Sequence, residues 1–424
     1  MRFSSICVIG LGYIGLPTAS TFATHGIRVF GVDSNPAVIK SLQNGQVHIY
    51  EPGLNEVVSQ ALTSGNLKIS AKPEVADAFI IAVPTPFYDD KKADMRFVTS
   101  AAESIVPVLR EGNLVVLEST SPPLTTRDLV LPILEKSGLK AGRDFKLAYS
   151  PERVLPGQIM RELVENARVI GGIDAASAEA GRDLYATFVR GEIVLTDSTT
   201  SEMVKLMENT YRDINIAIAN EFSRLADRFG VDVWEAIQIA NRHPRVKILN
   251  PGPGVGGHCI SVDPWFFVEA APDITPLILT ARKVNDGQPR FVVKLVEKAM
   301  LQAKSKKIAC LGLAFKPDVD DLRESPAVDV ARLLAEAGSE VTVLEPFNTN
   351  FEVKGAHNCA TLEEAIKDAQ VIVLLVNHSQ FRNIDPAALA KLTAARTVVD
   401  TVNAWNANAF SAAGFKVFRL GVGK

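Results

Sequence analysis

Short apolar runs recur along this chain, each closed by a glycine, proline, serine, threonine or acid. Ile6 to Gly10, Arg28 to Asp33, Ala78 to Val83, Leu114 to Glu118 and Lys146 to Tyr149 make a first series. Several are apolar at nearly every position, the pattern of strands covered on both faces in a parallel sheet. Pro17 to His25 reads as a helix between the first two. The pattern changes at Ser198. Up to its closing Gly230 the segment has no Gly or Pro to turn it, and its apolar positions keep a helical period. Ser198 or Thr199 is the expected N-cap, with Glu202 in the first turn. Val233 to Asn241 and Pro276 to Lys304 are further helical stretches, and the first and last of the three are long enough to connect domains and pair two subunits. Strand and helix then alternate again through Lys307 to Leu313, a helix over Ser325 to Gly338, Glu340 to Glu345, Val371 to Val376 and Thr397 to Asp400.

The first run enters Gly10-Leu11-Gly12-Tyr13-Ile14-Gly15. In a strand-to-helix turn the first glycine makes the bend, the second admits a pyrophosphate and the third lets helix pack on strand. The pyrophosphate then meets the helix N-terminus. The second strand ends on Asp33, placed to hold a ribose, and an acid there favours NAD over NADP because it repels a 2′-phosphate. The last third copies this order, but Gly312-Leu313-Ala314-Phe315-Lys316 lacks the dinucleotide glycines and suits a different nucleotide or a sugar nucleotide. The expected fold is therefore α/β: two Rossmann-like doubly wound parallel-sheet domains joined by a long central helical region. The divisions fall at 1–197, 198–304 and 305–424.

In open parallel sheets ligands bind beyond the carboxyl ends of the strands. Thr85, Thr120, Thr126, Glu152 and Arg153 all lie in or just past such loops, although Ser and Thr are also ordinary loop and capping residues. On the long helix Lys205, Asn209 and Arg212 share one face. That face is either solvated surface or, since Leu206, Ile214, Ile216, Ala217 and Ile218 make the helix largely buried, a polar stripe that needs partners. Pro251-Gly252-Pro253-Gly254-Val255-Gly256-Gly257-His258-Cys259 is a glycine-rich loop ending on a cysteine. Cys259 is either a presented nucleophile or a small buried apolar residue, and the glycines offer a place for a ligand to pass close to the backbone. Lys316 and Arg323 can meet phosphate charge, or belong to a surface ion-pair cluster with the aspartates between them.

Composition narrows the class. A chain of 424 residues that is 47% hydrophobic can bury sizeable cores in two or three domains. The formal net charge of −3, without a basic run, argues against nucleic acid as a partner. No apolar stretch reaches the ~18 residues of a membrane span. The apolar start is broken by glycines and shows no cleavage site, so a cytoplasmic location is expected. Cys7, Cys259, Cys310 and Cys359 have neither metal-ligand nor redox spacing. Cys7 and Cys310 lie in strands, Cys359 has no readable context, and no metal is expected.

Together these segments resemble the UDP-glucose/GDP-mannose dehydrogenase family along essentially the whole chain. The marks are Gly10 to Gly15, Pro84-Thr85-Pro86, Glu118-Ser119-Thr120, Pro151-Glu152-Arg153, the Lys205/Asn209 helix, Gly256-Gly257-His258-Cys259 with Asp263, and Gly312 to Pro317. Val47 to Pro52, Asn241 to Val246, Pro251 to Ile260 and Asp321 to Pro326 resemble the branch acting on N-acetylhexosamines. The chain departs from the UDP-glucose branch four residues past Glu152, where Pro156 replaces a second glutamate.

The resemblance implies an enzyme that oxidises C6 of a UDP-sugar from alcohol to carboxylate with two NAD in turn. The expected substrate is UDP-N-acetyl-D-mannosamine, with UDP-N-acetylglucosamine and then another UDP-sugar as the alternatives, and the product is a precursor of bacterial surface polysaccharide. An alcohol dehydrogenase stops at the aldehyde. Removing a second hydride requires a nucleophile first, and a thiolate supplies it as a thiohemiacetal that becomes a thioester. Cys259 takes that role, with Lys205 or loop amides favouring the thiolate. Lys205 is the expected general acid/base and oxyanion stabiliser. Asn209 holds the same oxygen or a water, Asp263 orients Lys205 or water, Glu152 assists thioester hydrolysis, and Thr120 positions water or cofactor. The implied NAD contacts are Gly10, Gly12, Tyr13, Ile14, Gly15, Asp33, Thr85, Thr126 and Arg323. The implied substrate contacts are Arg153, Val154, Lys205, Asn209, Arg212, His243, Arg245, Gly256, Phe315 and Lys316. The resemblance also implies a homodimer or higher oligomer, with part of Arg242 to Arg245 reaching the neighbouring subunit. A two-electron dehydrogenase on the same fold, or a nucleotide-sugar sensor without catalysis, are the competing readings.

Overall fold

The computed structural model describes residues 3–301 and 303–423. Met1, Arg2, Gln302 and Lys424 lie outside the described residues, including the one position of the expected Pro276 to Lys304 helix that falls there. Two compact units emerge. The first comprises the chain up to Glu208 with Trp265–Pro272, and the second Asn209–Pro264 with the chain from Asp273 onward.

The first unit holds an eight-stranded sheet. Its strands are β1 (Ser5–Ile9), β2 (Arg28–Val32), β3 (Leu67–Ser70), β4 (Ala78–Ile81), β5 (Leu114–Leu117), β6 (Lys146–Tyr149), β7 (Arg168–Gly172) and β8 (Ile193–Asp197). They run in the order β3-β2-β1-β4-β5-β6-β7-β8. All neighbours are parallel except β6 and β7, which pair antiparallel through Ala148↔Gly172 and Tyr149↔Gly171. The sheet is thus not wholly parallel as expected. β7 was not legible as a strand, because it opens on a charged residue and closes on two glycines. A Cβ at Gly171 would sit 2.7 Å from Ser198 Cα, so the backbones there are in close contact.

Side chains alternate between two cores. Ile6 and Val8 of β1 and Ala78 and Ile80 of β4 enter one, while Cys7, Ile9, Phe79 and Ile81 enter the other. Both faces are covered, which is why these strands read as continuous apolar runs.

The second unit holds a six-stranded, wholly parallel sheet: β9 (Lys307–Leu311), β10 (Glu340–Leu344), β11 (Ala356–Asn358), β12 (Val371–Leu374), β13 (Thr397–Asp400) and β14 (Lys416–Arg419). Its order, β11-β10-β9-β12-β13-β14, repeats that of the first six strands of the other sheet. Here too alternate residues of β9 and β12 divide between two cores.

The helix Ser198–Phe229 is the longest element. Its N-cap is Asp197 rather than Ser198 or Thr199. The Asp197 carboxylate accepts from Thr200 N at 2.9 Å and Thr200 Oγ1 at 2.5 Å. The helix expected over Pro276 to Lys304 is two helices, Pro276–Asp286 and Gln288–Met300, parted at Gly287. Pro289 lies in the first turn of the second, where a missing N–H costs nothing. No helix among the described residues is long and apolar enough to cross a membrane.

Candidate active site

In the first unit the turn after β1 has the shape the glycines predict. Gly10 has φ 94°, and a Cβ there would lie 2.5 Å from Ala82 O. A Cβ on Gly15 would strike Gly10 O, whereas Gly12 faces open space. The helix Gly15–Thr24 starts at once. Asp33 Oδ2 accepts from Leu11 N at 2.9 Å and Oδ1 from Asn35 N at 2.8 Å, fixing the acid beside the turn. The glycine with room around it, the helix start and the anchored acid fit a dinucleotide. Tyr13 is exposed, and Ile14 and Thr85 are half-buried. Thr126 is fully buried: its amide and hydroxyl donate to Glu202 Oε1 at 2.8 and 2.6 Å. Glu202 Oε2 also accepts from Leu124 N at 2.6 Å, holding that residue at φ 75°. The expected first-turn Glu202 is therefore an internal clamp on the loop that carries Thr126.

Glu152 sits past the end of β6 and is held from both oxygens. Oε1 accepts from Arg153 N at 2.8 Å, and Oε2 pairs with Arg168 Nη2. Arg168 is buried, stacks 4.1 Å from the centroid of Tyr185, and donates to Ser150 Oγ at 3.2 Å and Glu118 Oε1 at 3.3 Å. Tyr185 OH donates to the same Glu118 oxygen at 2.6 Å. Burial pushes Glu118 up to about 7, against the pull of Arg168. Glu51 steadies the following loop: its carboxylate accepts from Gly157 N and Ile159 N, each at 2.8 Å. Arg153 itself pairs with Glu208 at 2.5 Å and bonds Ala167 O. Val154 packs against the core, and Thr120 is half-buried beyond β5.

The buried stripe on the long helix differs from the expected one. Lys205 and Asn209 are buried, as are Glu202 and Asp213, but Arg212 is exposed. Within the second unit Asn209 Nδ2 donates to Asp263 Oδ2 at 2.5 Å, and both side chains are buried. Cys259 lies four residues before Asp263, and its carbonyl accepts from Val262 N at 3.0 Å and Asp263 N at 2.8 Å. Of the four cysteines Cys259 alone is not buried, and all four are free thiols.

The glycines before Cys259 serve the protein's own packing. A Cβ on Gly256 would lie 2.6 Å from Glu324 O, and one on Gly257, at φ 84°, would lie 2.8 Å from the Phe315 ring. His258 Nδ1 lies 3.7 Å from Asp321 Oδ2. Hydrogen bonding to Asp321, then to Cys259, raises His258 to about 9, against the nearby Arg323 charge. Arg323 bonds the same carboxylate through Nε and Nη2, at 2.9 and 2.6 Å. Asp321 is thus shared between His258 and Arg323, and Arg323 Nη2 also lies 3.1 Å from His258 Nδ1. Arg323, expected beside NAD, belongs to the second unit, as do half-buried Phe315 and Lys316 and exposed His243 and Arg245.

Sequence reading passed over the residues that hold the Cys259 loop. Asp213 Oδ1 accepts from Arg282 Nη1 at 2.5 Å and Asn285 Nδ2 at 2.8 Å. Asn285 Oδ1 accepts from Asn220, and Asn220 Oδ1 accepts from Gly252 N at 3.0 Å. The second sheet repeats the first turn's construction with the first glycine alone. Gly312 has φ 85°, and Glu345 past β10 accepts from Leu313 N and Ala314 N at 2.7 and 2.9 Å. His378 Nε2, 3.0 Å away, completes that buried acid's shell.

Three domain models of the UDP-glucose/GDP-mannose dehydrogenase family match in order: its NAD binding domain over residues 4–189, its central domain over 199–287 and its UDP binding domain over 309–407. The chain is 50% identical to UDP-N-acetyl-D-mannosamine dehydrogenase of Yersinia pestis, over 96% of this chain and 100% of that one. It is 47% identical to NDP-N-acetyl-D-galactosaminuronic acid dehydrogenase of Ralstonia nicotianae, over 97% and 98% of the two chains. Among solved structures, the UDP-D-ManNAc dehydrogenase of Pyrococcus horikoshii superposes with a TM-score of 0.92 at 40% identity, covering 99% of both chains. The chain belongs to the UDP-glucose/GDP-mannose dehydrogenase family and is an NAD-dependent oxidoreductase acting on a UDP-sugar.

Proposed function

We propose that this enzyme oxidises C6 of UDP-N-acetyl-D-mannosamine to the carboxylate through a covalent adduct on Cys259. The observation that carries the mechanism is that Cys259 alone among the four thiols is unburied, at the end of a loop fixed by Asn220, Phe315 and Arg323. The sugar is assigned on the 50% identity to the Yersinia pestis enzyme. Gly10 to Gly15 and Asp33 would hold NAD, which when bound would supply the hydride acceptor for each half-reaction. Lys205 takes the C6 hydroxyl proton as the aldehyde forms. Cys259 then adds its thiolate to the aldehyde carbon, and Lys205 with Asn209 stabilises the resulting oxyanion. Loss of a second hydride from this oxyanion leaves a thioester on Cys259. Glu152 activates water to hydrolyse it, freeing the thiol and the uronate. Asp263 positions Asn209, His258 places a positive charge beside the thiol, and Thr120 positions water or cofactor. Arg153, Val154, Arg212, His243, Arg245, Gly256, Phe315 and Lys316 are the proposed substrate contacts, and Thr85, Thr126 and Arg323 further cofactor contacts.

We keep the division into an NAD domain (1–197), a central domain (198–304) and a UDP-sugar domain (305–424). The product is a precursor for surface polysaccharide assembly in the cytoplasm. The active species is a homodimer, supported by an exposed apolar stripe on the Ser198–Phe229 helix: Tyr211, Ile218, Phe222, Leu225 and Phe229. Their spacing of seven, four, three and four residues suits a helix pair.

The test is NADH yield per sugar with the N-acetylmannosamine, N-acetylglucosamine and N-acetylgalactosamine substrates. Two NADH per sugar is expected, with kcat/KM for the manno sugar at least about tenfold above the others, a difference of about 1.4 kcal/mol. A single NADH per sugar, or unimpaired acid formation by Cys259→Ser, would sink the covalent mechanism. Preference for another epimer would sink only the substrate assignment.

A further inference from the structure

The second sheet domain carries a cluster that the oxidation does not use. β11 forms the edge of its sheet, with His357 paired to Thr342. Cys359, two residues on, continues the ladder through its amide to Val343 O at 2.8 Å. The chain then turns at Thr361, which caps the short helix Leu362–Ile366 and accepts from Glu364 N. This His-x-Cys-x4-Glu segment brings an imidazole nitrogen, a thiol sulfur and a carboxylate oxygen within 4.8 Å of one another. His357 Nε2 and Glu364 Oε1 are already 3.8 Å apart. Glu364 Oε2 is tied down by Ala360 N at 2.8 Å, which orients the carboxylate.

We propose that His357, Cys359 and Glu364 form a binding site for a zinc-class divalent cation. Zinc with bonds of about 2.0–2.3 Å needs ligand atoms about 3.3–3.8 Å apart. The His357–Glu364 edge is within about 0.5 Å of that length, and side-chain movement of about 1 Å closes the others. A thiolate with an imidazole and one carboxylate selects zinc-class metals over magnesium or calcium. Binding forms a metal–sulfur bond and releases the Cys359 thiol proton to solvent. His357 and Glu364 are exposed, so the ion has a route in and a position left for water.

One of the three ligands, Cys359, also borders a cavity of about 430 Å³, together with Thr361, Leu344, Glu345, Thr349 and Phe381. The cavity lies past the carboxyl ends of β10 and β11, where open parallel sheets receive ligands. Cys359 is therefore both metal ligand and cavity wall.

The test uses the full-length Cys259→Ser protein, stripped with chelator, so that the exposed thiol cannot report. Co²⁺ is titrated in as a spectroscopic stand-in for zinc. One ion per chain with a thiolate-to-cobalt charge-transfer band is expected, together with a rise in Tm on adding Zn²⁺. Cys359→Ser in the same background should abolish the band. His357→Ala, an exposed change that leaves the core intact, should weaken binding about tenfold or more. Absence of the band in the Cys259→Ser protein, or unchanged affinity in His357→Ala, would overturn the proposal.

Discussion

Glu152 shows how a single side chain is held in place by its neighbours. Both of its oxygens are occupied, one by a backbone amide and one by Arg168, whose guanidinium also serves Glu118 and stacks on Tyr185. Removing a buried cation between two carboxylates leaves uncompensated charge. Arg168→Met is expected to cost about 3–5 kcal/mol, read as a lower midpoint in denaturant melts. Arg168→Lys keeps the charge but not the fork. In it, stability should recover in part while thioester hydrolysis stays slow, so acid-stable covalent enzyme accumulates in a quenched turnover. His258 offers a second test. Its folded-state pKa is raised to about 9, so its contribution to stability is fully present below about pH 6.5 and is lost as pH rises through about 9. The Tm gap between the parent protein and His258→Gln should therefore be widest near pH 6 and close above pH 9. Cys259 was legible because a thiol at the end of a glycine-rich loop is unusual. Arg168 was not, because it opens a strand whose two terminal glycines hide it. The packing role of Gly256 and Gly257 was hidden for a related reason: a sequence shows that a Cβ is absent, but not that Phe315 and Glu324 lie where it would be.

At the scale of elements, the Cys259 loop depends on helices distant in sequence. Gly252 hangs from Asn220 on the long helix, Asn220 from Asn285, and Asn285 with Arg282 from Asp213. Burial raises Asp213 above its ordinary value, and Arg282 opposes that. Asn220→Ala should leave Gly252 N and Asn285 Oδ1 without these partners, at about 1–3 kcal/mol. Expected results are a lower melting midpoint and a fall in kcat with NAD affinity unchanged in equilibrium dialysis. Such links are not readable from periodicity, because Asp213 and Asn220 look like polar positions on a solvated face. Nine of the fourteen described strands were readable from their apolar runs, with ends misplaced by a residue or two, whereas β3, β7, β8, β11 and β14, which are shorter on apolar residues or carry charge and glycine, were passed over. Gly287 marks where helical reading failed: the apolar period continues across it, and only the backbone break separates the two helices.

For the molecule as a whole, one plan is used twice. Each sheet follows the same strand order, turns at a glycine of positive φ after its first strand, and anchors an acid from the second strand on the amides of that turn. What differs is the glycine complement, and with it the ligand. Assembly is the property that can be tested at this scale. Phe222→Glu with Phe229→Glu should yield a monomer by light scattering at micromolar concentration, whereas an unchanged mass would place the subunit contact elsewhere.

The last residues of the chain close on its middle. Val233 N and Trp234 Nε1 donate to Gly421 O and Leu420 O, each at 2.9 Å, Gly423 N donates to Val231 O, and Arg419 pairs with Asp232. During synthesis, residues 231–234 wait for about 190 further residues to be made, ten seconds or more at ~5–20 residues per second. For that interval Trp234 and Val233 lack their partners, and the nascent chain is open to chaperones at that point. A fusion that crowds the final strand would prolong the exposure, whereas one at the start of the chain would not.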